Sequence, residues 1–318
     1  MKGGYDLTII NLFETFQADE QAVEYLENKR WNGEPICPYC DSKTIYKHEG
    51  KDRIMRRWQC GDCKKSFSVT VGTIFHGTHI PLRKWFLVLA LMLNAKKSAS
   101  SCQISRDTGI RQPTVWSMMH RIRAAMDSDV DQAELLSGIV EADECYVGGK
   151  PRKGGSKRKK NDNDKDDKGS GCATKPKRGR GTSKTPVVGV IERNGKVVAK
   201  MTDTSGIAGK GLRRFISRFV NLDASLLITD EYKAYNSMNG LVDRAVINHS
   251  MAYSENGINT NSMESFWAII KRSHYGTHHH YSKRYTQLYI SEACYKHNNT
   301  KTVNLFSRTL GVMVGCHA

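Results

Sequence analysis

The sequence predicts a mixed α/β protein in which helices flank a mixed β-sheet, preceded by a cysteine-rich module and a helical stretch. From residue 139 onward, β-rich runs and segments of helical periodicity are interspersed, the pattern of a sheet covered by helices. Upstream, two Cys-x-x-Cys pairs lie within 37–63, and helical periodicity dominates 81–126. A length of 318 residues suggests about two domains. We delimit the segments 1–80, 81–137 and 138–318, the last with a basic, flexible insertion at 150–184.

Composition and charge exclude a disordered or membrane-spanning protein and favour one that binds a negatively charged partner. Hydrophobic residues make up 39% of the chain, which excludes wholesale disorder. No apolar run approaches the roughly 20 residues of a membrane span, and the N-terminus lacks the features of a secretory signal, so we expect a soluble intracellular protein. The net charge of +17 suits nucleic acid, an anionic membrane or a basic tail. Residues 150–184 carry 14 basic and 4 acidic side chains, and so hold more than half of the excess.

The spacing of apolar residues predicts the individual elements. An Asn194-Gly195 pair between two β-rich runs is a strong hairpin signal. We expect helices over 11–30 (broken near Asp19), 81–94, about 100–107, 112–126, 207–220, 262–272 and 283–299, and strands over 139–148, 187–192, 197–201, 225–229 and 245–248.

Four of the nine cysteines form a metal-binding pattern. The pairs Cys37-Pro-Tyr-Cys40 and Cys60-Gly-Asp-Cys63 are separated by 19 residues, which fits the spacing of a four-thiolate zinc site. Four thiolates leave no open position for a substrate, so one structural Zn²⁺ in a zinc ribbon is expected. The alternative is two redox dithiols or unpaired thiols. The five scattered cysteines are expected to be reduced.

Residues 100–126 have the size of a helix–turn–helix, with a turn at Thr108-Gly109-Ile110. Val115, Met119, Ile122 and Met126 trace the buried stripe of its second helix. The alternative is an ordinary helical pair whose arginines are solvated. DNA contacts are expected from six residues of this helix: Gln112, Thr114, Ser117, His120, Arg121 and Arg123. In the insertion, Lys157, Arg158 and Lys159 are expected to contact DNA without sequence preference. The alternative is that the insertion is a solvated spacer.

Three carboxylates occupy positions suited to metal-dependent phosphoryl transfer. Asp143 lies inside an apolar strand, on the face it shares with Glu141 and Cys145. Asp230 ends a second apolar strand, and Glu264 follows 34 residues later at the start of a helix. Carboxylate oxygens favour two Mg²⁺ or Mn²⁺ ions. Lys271, two turns after Glu264, would hold a phosphate. Alternatively, Asp143 lies on an edge-strand surface, Asp230 caps a helix, and Glu264 forms a capping box with Asn261.

Several runs carry a resemblance to a known family. They are Asp143-Glu-Cys-Tyr-Val-Gly-Gly-Lys150, Thr229-Asp-Glu-Tyr-Lys-Ala-Tyr235, and Asn261-Ser-Met-Glu-Ser-Phe-Trp267 through Lys271-Arg272. With the zinc ribbon, they make the chain similar to bacterial insertion-sequence transposases of the IS1595 (ISXO2-like) family. The resemblance implies a cytoplasmic, nucleoid-associated bacterial protein. The resemblance implies an RNase H-like catalytic domain with the triad Asp143, Asp230 and Glu264. Because the third position varies in the family, Asn261 stays open as the third ligand. His249 matches a frequent family histidine, and His278, His279 and His280 form a basic cluster.

The expected function is therefore that of a DDE-type DNA transposase. It would bind the terminal inverted repeats of its element as double-stranded DNA, cleave at the ends and join the freed 3′-OH to target DNA. Because two ends must be joined, at least a homodimer on DNA is expected. The alternatives are a structure-specific nuclease or resolvase on the same fold, and a zinc-ribbon/helix–turn–helix regulator with an inert core.

Overall fold

The N-terminal part combines two helices with a small antiparallel sheet. The computed structural model describes residues 8–48, 57–148, 184–247 and 260–315. Helix α1 (Ile9–Thr15) and α2 (Asp19–Trp31) are separate, as the predicted break near Asp19 requires. The Thr8 hydroxyl caps α1, and the Gln21 side chain accepts the Ala18 N–H before α2. Strands β1 (Ile45–His48), β2 (Arg57–Cys60) and β3 (Ser66–Phe67) form a three-stranded antiparallel sheet.

Three helices follow in α3 (Leu82–Asn94), α4 (Ser101–Thr108) and α5 (Gln112–Asp131). The Ser100 hydroxyl caps α4, and Gly109 ends it at φ 68°, where a side chain would be strained. Helix α5 extends five residues beyond the predicted 126, because Asp127 and Asp129 on its last turns pair with Lys200 and Arg308. The buried stripe of α5 is confirmed: Val115, Met119, Ile122 and Met126 are all buried.

The C-terminal half is built on a five-stranded sheet. Its elements are β4 (Leu136–Val147), β5 (Thr185–Glu192), β6 (Val197–Met201), α6 (Gly209–Phe219), β7 (Val220–Asp230), β8 (Asp243–Ile247), α7 (Asn261–Arg272), α8 (Thr286–Asn298) and α9 (Leu305–Gly315). The predicted hairpin between β5 and β6 is confirmed, with Asn194 in the left-handed region at φ 63°.

The strand order identifies the fold. The sheet runs β6-β5-β4-β7-β8, with β5 antiparallel to both neighbours and β7 parallel to β4 and β8. Numbered within the domain, this is the order 3-2-1-4-5 with only the second strand reversed, the arrangement of an RNase H-like sheet. The predicted fold class is confirmed.

Helices cover both faces of this sheet. A Cβ added at Gly189 of β5 would lie within 2.9 Å of Met263 and Trp267, so this face of β5 carries α7. The neighbouring Val188 faces the other side, where α6 packs against β5 and β7. The sheet therefore separates α6 from α7.

The last two helices join the two halves of the chain. Helix α8 packs against β6 and α5, whereas α9 packs against α2, α3 and α5. The Phe306 ring of α9 lies 5.7 Å from that of Phe86 in α3, edge to face. The end of the segment delimited as 138–318 thus lies among the N-terminal helices. No helix within the described ranges is long and apolar enough to cross a membrane.

Candidate active site and zinc site

Asp143 is held in the middle of β4, opposite Gly189 of β5. The indole N–H of Trp267 on α7 donates to its Oδ2 at 3.0 Å. Burial, and next the charge of Glu144, raise the pKa of Asp143 to about 7, and the charge of Asp230 adds to the rise. The carboxyl group is therefore in an electrostatic environment that a cation would relieve.

Asp230 is the last residue of β7, the strand parallel to β4. The register pairs Glu141 with Ile228, so two residues further along Asp143 comes level with Asp230. Neighbouring strands lie about 4.8 Å apart. The Asp230 Oδ1 also accepts the backbone N–H of Tyr232 at 3.0 Å, which fixes the carboxylate at the strand end. Asp143, in the middle of β4, thus lies level with Asp230 at the carboxyl end of the parallel neighbouring strand β7.

The remaining predicted catalytic residues lie on α7. Asn261, Glu264 and Lys271 are all exposed. In the described part of the chain, the four cysteines are the only cluster of three or more His, Cys, Asp or Glu ligand atoms within 4.8 Å of one another. The carboxylates of Asp143, Asp230 and Glu264 therefore do not all come this close. Burial raises the pKa of Cys145 to about 11, and the charge of Lys271 opposes that rise, so Lys271 acts near the end of β4.

Glu141 is a site residue that the sequence reasoning did not single out. Its fully buried carboxylate accepts the Met263 backbone N–H at 3.0 Å and the Ser262 hydroxyl at 2.9 Å. Arg193 forms an ion pair with it at 3.2 Å. The negative charge of Glu141 therefore lies against the first turn of α7, where backbone N–H groups have no partner within the helix itself. The bonded residue Met263 directly precedes Glu264. The period-two alternation that put Glu141 on the face of Asp143 was the signal for it.

The opposite face of β4 is closed by a tyrosine. The fully buried Tyr235 donates its hydroxyl to Glu144 Oε2 at 3.0 Å. Burial, and next the charge of Glu144, raise the pKa of this phenol well above its ordinary value, so it stays a donor. The strand end is thus held by α7 on one face and by the segment after β7 on the other.

The four predicted zinc ligands come together. The Sγ atoms of Cys37, Cys40, Cys60 and Cys63 all lie within 4.8 Å of one another. The Cys37–Cys63 and Cys40–Cys60 sulfurs are 3.6 Å apart. A tetrahedron with Zn–S bonds of about 2.3 Å has edges of about 3.8 Å. The geometry and the donor set therefore fit one structural Zn²⁺.

Two family models match the chain. The ISXO2-like transposase domain covers residues 135–298, and the transposase zinc-ribbon domain covers residues 17–66. The chain belongs to the ISXO2-like transposase family. The transposase is 27% identical over 269 residues to a protein in transposable element ISH50 of Halobacterium salinarum, a match that covers 81% of this chain and 84% of the relative.

Among solved structures, the transposase aligns with a crystal structure of a pre-cleavage Mos1 transpososome. The alignment has 13% identity and a TM-score of 0.27, and covers 71% of this chain and 75% of the other. The RNase H-like fold of the transposase rests on its strand order and on its family.

The residues of α5 predicted to bind DNA divide into those that reach the surface and those that are buried. Arg121 is exposed and donates to the carbonyls of Ile74 and His76, at 2.9 and 3.1 Å, while Ser117 is exposed and Thr114 half-buried. Gln112 donates to the Ser101 hydroxyl at 2.7 Å and so ties α5 to α4. Lys157, Arg158, Lys159 and His249 lie outside the described residues.

For Arg123 and His120 the prediction of DNA contact is wrong. Arg123 is 1% exposed, and its Nε lies 2.7 Å from Glu292 of α8. Its guanidinium also stacks 4.1 Å from the ring centre of Tyr289. His120 is buried beside Trp116. The face of α5 that carries these two residues packs against α8, a long-range contact with no signature in local periodicity.

The predicted histidine cluster is only partly exposed. His278 is half-buried, with its Nε2 3.1 Å from the Ser98 hydroxyl. Burial, and next the charge of Arg123, lower the pKa of His278 to about 4, so it is neutral near pH 7. His279 and His280 are exposed. The cluster therefore does not act as three cations.

Proposed function

We propose that this transposase binds the terminal inverted repeats of its element, cleaves the DNA at the ends and joins the freed 3′-OH to target DNA. The observation that carries the proposal is that Asp143 of β4 lies level with Asp230 at the end of the parallel strand β7, beneath a helix that carries a third acid. Family membership supports the same reaction class.

Divalent cations, Mg²⁺ or Mn²⁺, are the proposed cofactors of this site. Asp143 and Asp230 offer the hard oxygen ligands that these ions prefer, and their mutual repulsion favours a bound cation. Glu264 is the proposed third ligand, with Asn261 the alternative one turn away. Two ions held there would supply activation of the attacking oxygen and stabilisation of the leaving oxygen.

The protein's own residues have roles that follow from their contacts. Trp267 holds the Asp143 carboxylate by its N–H and covers it from water. Glu141 and Arg193 fix the first turn of α7, and with it the backbone of Glu264. Lys271 extends from the same helix and is proposed to hold a phosphate near the strand end.

DNA recognition is assigned to the zinc ribbon and the helical region. Thr114, Ser117 and Arg121 are the residues of α5 still available for contact at its surface, with Gln112 beside them. Lys157, Arg158 and Lys159 of the basic insertion are proposed to contact phosphates without reading bases. Two element ends require two catalytic sites, so the active species is proposed to be a homodimer or higher oligomer on DNA.

The Asp143→Asn variant tests the catalytic assignment. Loss of the charge should lower the rate of end cleavage at least about 100-fold, since metal-assisted charge stabilisation is worth several kcal/mol. Binding of the terminal repeat should stay unchanged. The matched control is Asp223→Asn, an exposed carboxylate on the same strand as Asp230 but away from its end. Unaltered cleavage by Asp143→Asn would refute the assignment.

Strand transfer is tested separately with pre-cut element ends and a plasmid target. Joined products would support the transposase activity. Hydrolysis without joined product would identify a structure-specific nuclease or resolvase, and end binding without any cleavage would identify a DNA-binding regulator.

A further inference from the structure

A basic cleft lies between α6 and the edge strand β6, and we call it the α6 cleft. Its volume is about 770 Å³. The turn that links β6 to α6 closes one end, and the half-buried Phe215 lies within it. Five cationic side chains line it: Lys200, Lys210, Arg214, Arg218 and Lys283.

The two carboxylates that line the α6 cleft, Asp131 and Asp203, are both bonded to groups of the protein itself. Asp131, with Asp127 nearby, pairs with Lys200 at 2.6 and 2.7 Å. The Asp203 carboxylate accepts the backbone N–H groups of Ser205 and Gly206, at 3.0 and 2.9 Å. Lys200 is therefore neutralised within the protein, and Asp203 is committed to its own turn.

The other four cations have no acidic partner among the residues that the structure describes. Lys210, Arg214 and Arg218 are exposed and follow at four-residue intervals, so they form one stripe along α6. The stripe is about 12 Å long, from the rise of an α-helix. The opposite side of α6 is anchored by the buried Leu212 and Ile216, which holds the stripe on the surface.

The α6 cleft lies at the same end of the sheet as the acidic pair. Strand β6 runs parallel to β4, and through Val187 the register brings Met201 level with Cys145. Two strand spacings make this separation about 10 Å. The cleft lies on the face of Val188, opposite to the face that carries α7. It is therefore adjacent to the proposed catalytic site, but separate from it.

We propose that the α6 cleft binds the phosphate backbone of double-stranded DNA without reading its sequence. A row of cations about 12 Å long is longer than a single phosphate group can span. It matches a linear polyanion such as duplex DNA, which presents a charge about every 1.7 Å along its axis. Long cationic side chains reach phosphates but distinguish bases only in a groove. The proposal rests on the proposed function for the identity of the polyanion as DNA, and adds a contact surface outside the helical region and the insertion.

The test compares two full-length triple variants that each remove three charges. The first is Lys210→Ala/Arg214→Ala/Arg218→Ala. The control is Lys196→Ala/Lys301→Ala/Arg308→Ala, three surface cations outside both the cleft and the helical region. Affinity for a random-sequence duplex is measured over a range of salt concentrations. Each phosphate contact contributes about 0.9 to the slope of log K against log salt, so the cleft variant should lose about 2 to 3 in slope and at least about tenfold in affinity.

Equal losses in both variants would overturn the proposal, since a general effect of net charge would then explain them. A second measurement needs no variant: reductive methylation of the wild-type protein, read by mass spectrometry. Bound duplex should protect Lys210 and Lys283 but not Lys301, and lack of protection of the two cleft lysines would also overturn the proposal. The cleft and the proposed function can fail independently. End cleavage with an unchanged slope in the cleft variant refutes the cleft alone, and a lost slope in a protein that never cleaves refutes the proposed function alone.

Discussion

Glu141 shows how a single buried charge can fix the helix that carries the proposed third ligand, Glu264. Its carboxylate accepts hydrogen bonds from Ser262 and Met263 and pairs with Arg193, so three groups, two on α7 and one in the β5–β6 hairpin, depend on it. An unpaired charge in such a place would be strongly destabilising. Glu141 contacts the helix that carries Glu264 and the hairpin residue Arg193, so we expect it to act as a positioning residue.

Glu141→Ala should lower the free energy of unfolding by about 1–3 kcal/mol, because it removes the acceptor of the buried Met263 N–H. Glu141→Gln keeps an acceptor for the Met263 N–H and should lose less stability. Urea unfolding measures this order. Glu134→Ala, which removes a carboxylate that is 91% exposed, should change stability by less than about 0.5 kcal/mol. A similar effect of both alanine variants would contradict the role of Glu141.

The ion pair of Arg123 and Glu292 is a second buried charge with a measurable consequence. Burial alone would raise the pKa of Glu292, but the charges of Lys296 and Arg123 hold it well below its ordinary value of 4.5. A carboxylate with a depressed pKa contributes stability that is fully present above its unfolded pKa and is lost as pH falls below it.

The free energy of unfolding should therefore decrease as pH falls below about 4.5, and part of this decrease should be absent in Glu292→Gln. At pH 7 that variant should be less stable by about 3–5 kcal/mol, since Arg123 stays buried without its partner. Urea unfolding across pH 3–7 is the measurement. The same acid dependence in Glu292→Gln and wild type would show that other carboxylates account for it.

At the scale of elements, the approach of α7 to the sheet depends on the absence of a side chain at Gly189. A Cβ there would lie 2.0 Å from the terminal methyl of Met263 and 2.7 Å from the Trp267 ring. Met263 is flexible, but the indole is fixed by its bond to Asp143. The helix would have to move away from the acidic strand end.

Gly189→Ala should therefore lower the free energy of unfolding by about 1–3 kcal/mol, the usual effect of overpacking, and reduce end cleavage. Intrinsic tryptophan fluorescence and urea unfolding report on both the helix and the fold. Gly276→Ala is the matched control, because a Cβ at Gly276 meets nothing within 4 Å. Wild-type behaviour of Gly189→Ala would mean that α7 is not seated as described.

Local sequence patterns predicted most elements, but not the contacts between them. The Cys-x-x-Cys pairs and the Asn194-Gly195 turn depend on a few adjacent residues, and so were readable. Helix α9 was missed because Gly311, Gly315 and several valines give it low helix propensity, and it is stabilised by burial against distant helices. Arg123 was misassigned for the same reason, since its partner lies 169 residues away. In the candidate site, Asp143 and Asp230 were predicted because each lies in an apolar strand pattern. The role of Glu141 became visible only from its contact with α7 in the structure.

At the scale of the whole molecule, α9 ties the end of the chain to its beginning. Phe306 packs on Phe86, Lys29 of α2 donates to the Ser307 hydroxyl at 3.0 Å, and the Ile74 N–H donates to the Met313 carbonyl. The fully buried Leu310 lies at the centre of this helix. The N-terminal helices therefore share one core with the C-terminus.

Leu310→Ala should lower the free energy of unfolding by about 2–5 kcal/mol, the range for a buried leucine. Val303→Ala, at a side chain that is 66% exposed, should change it by less than about 0.5 kcal/mol. Thermal unfolding of the full chain distinguishes the two. Loss of DNA binding in Leu310→Ala below its unfolding temperature would further show that α9 supports the helical region, and equal stability of the two variants would contradict the packing of α9.

The position of α9 also has a consequence for synthesis of the protein. The core around Phe86 is incomplete until α9 has been translated, so the N-terminal part completes its folding only after α9 has been made. Products that terminate before α9 would expose this apolar surface and should be sensitive to proteases.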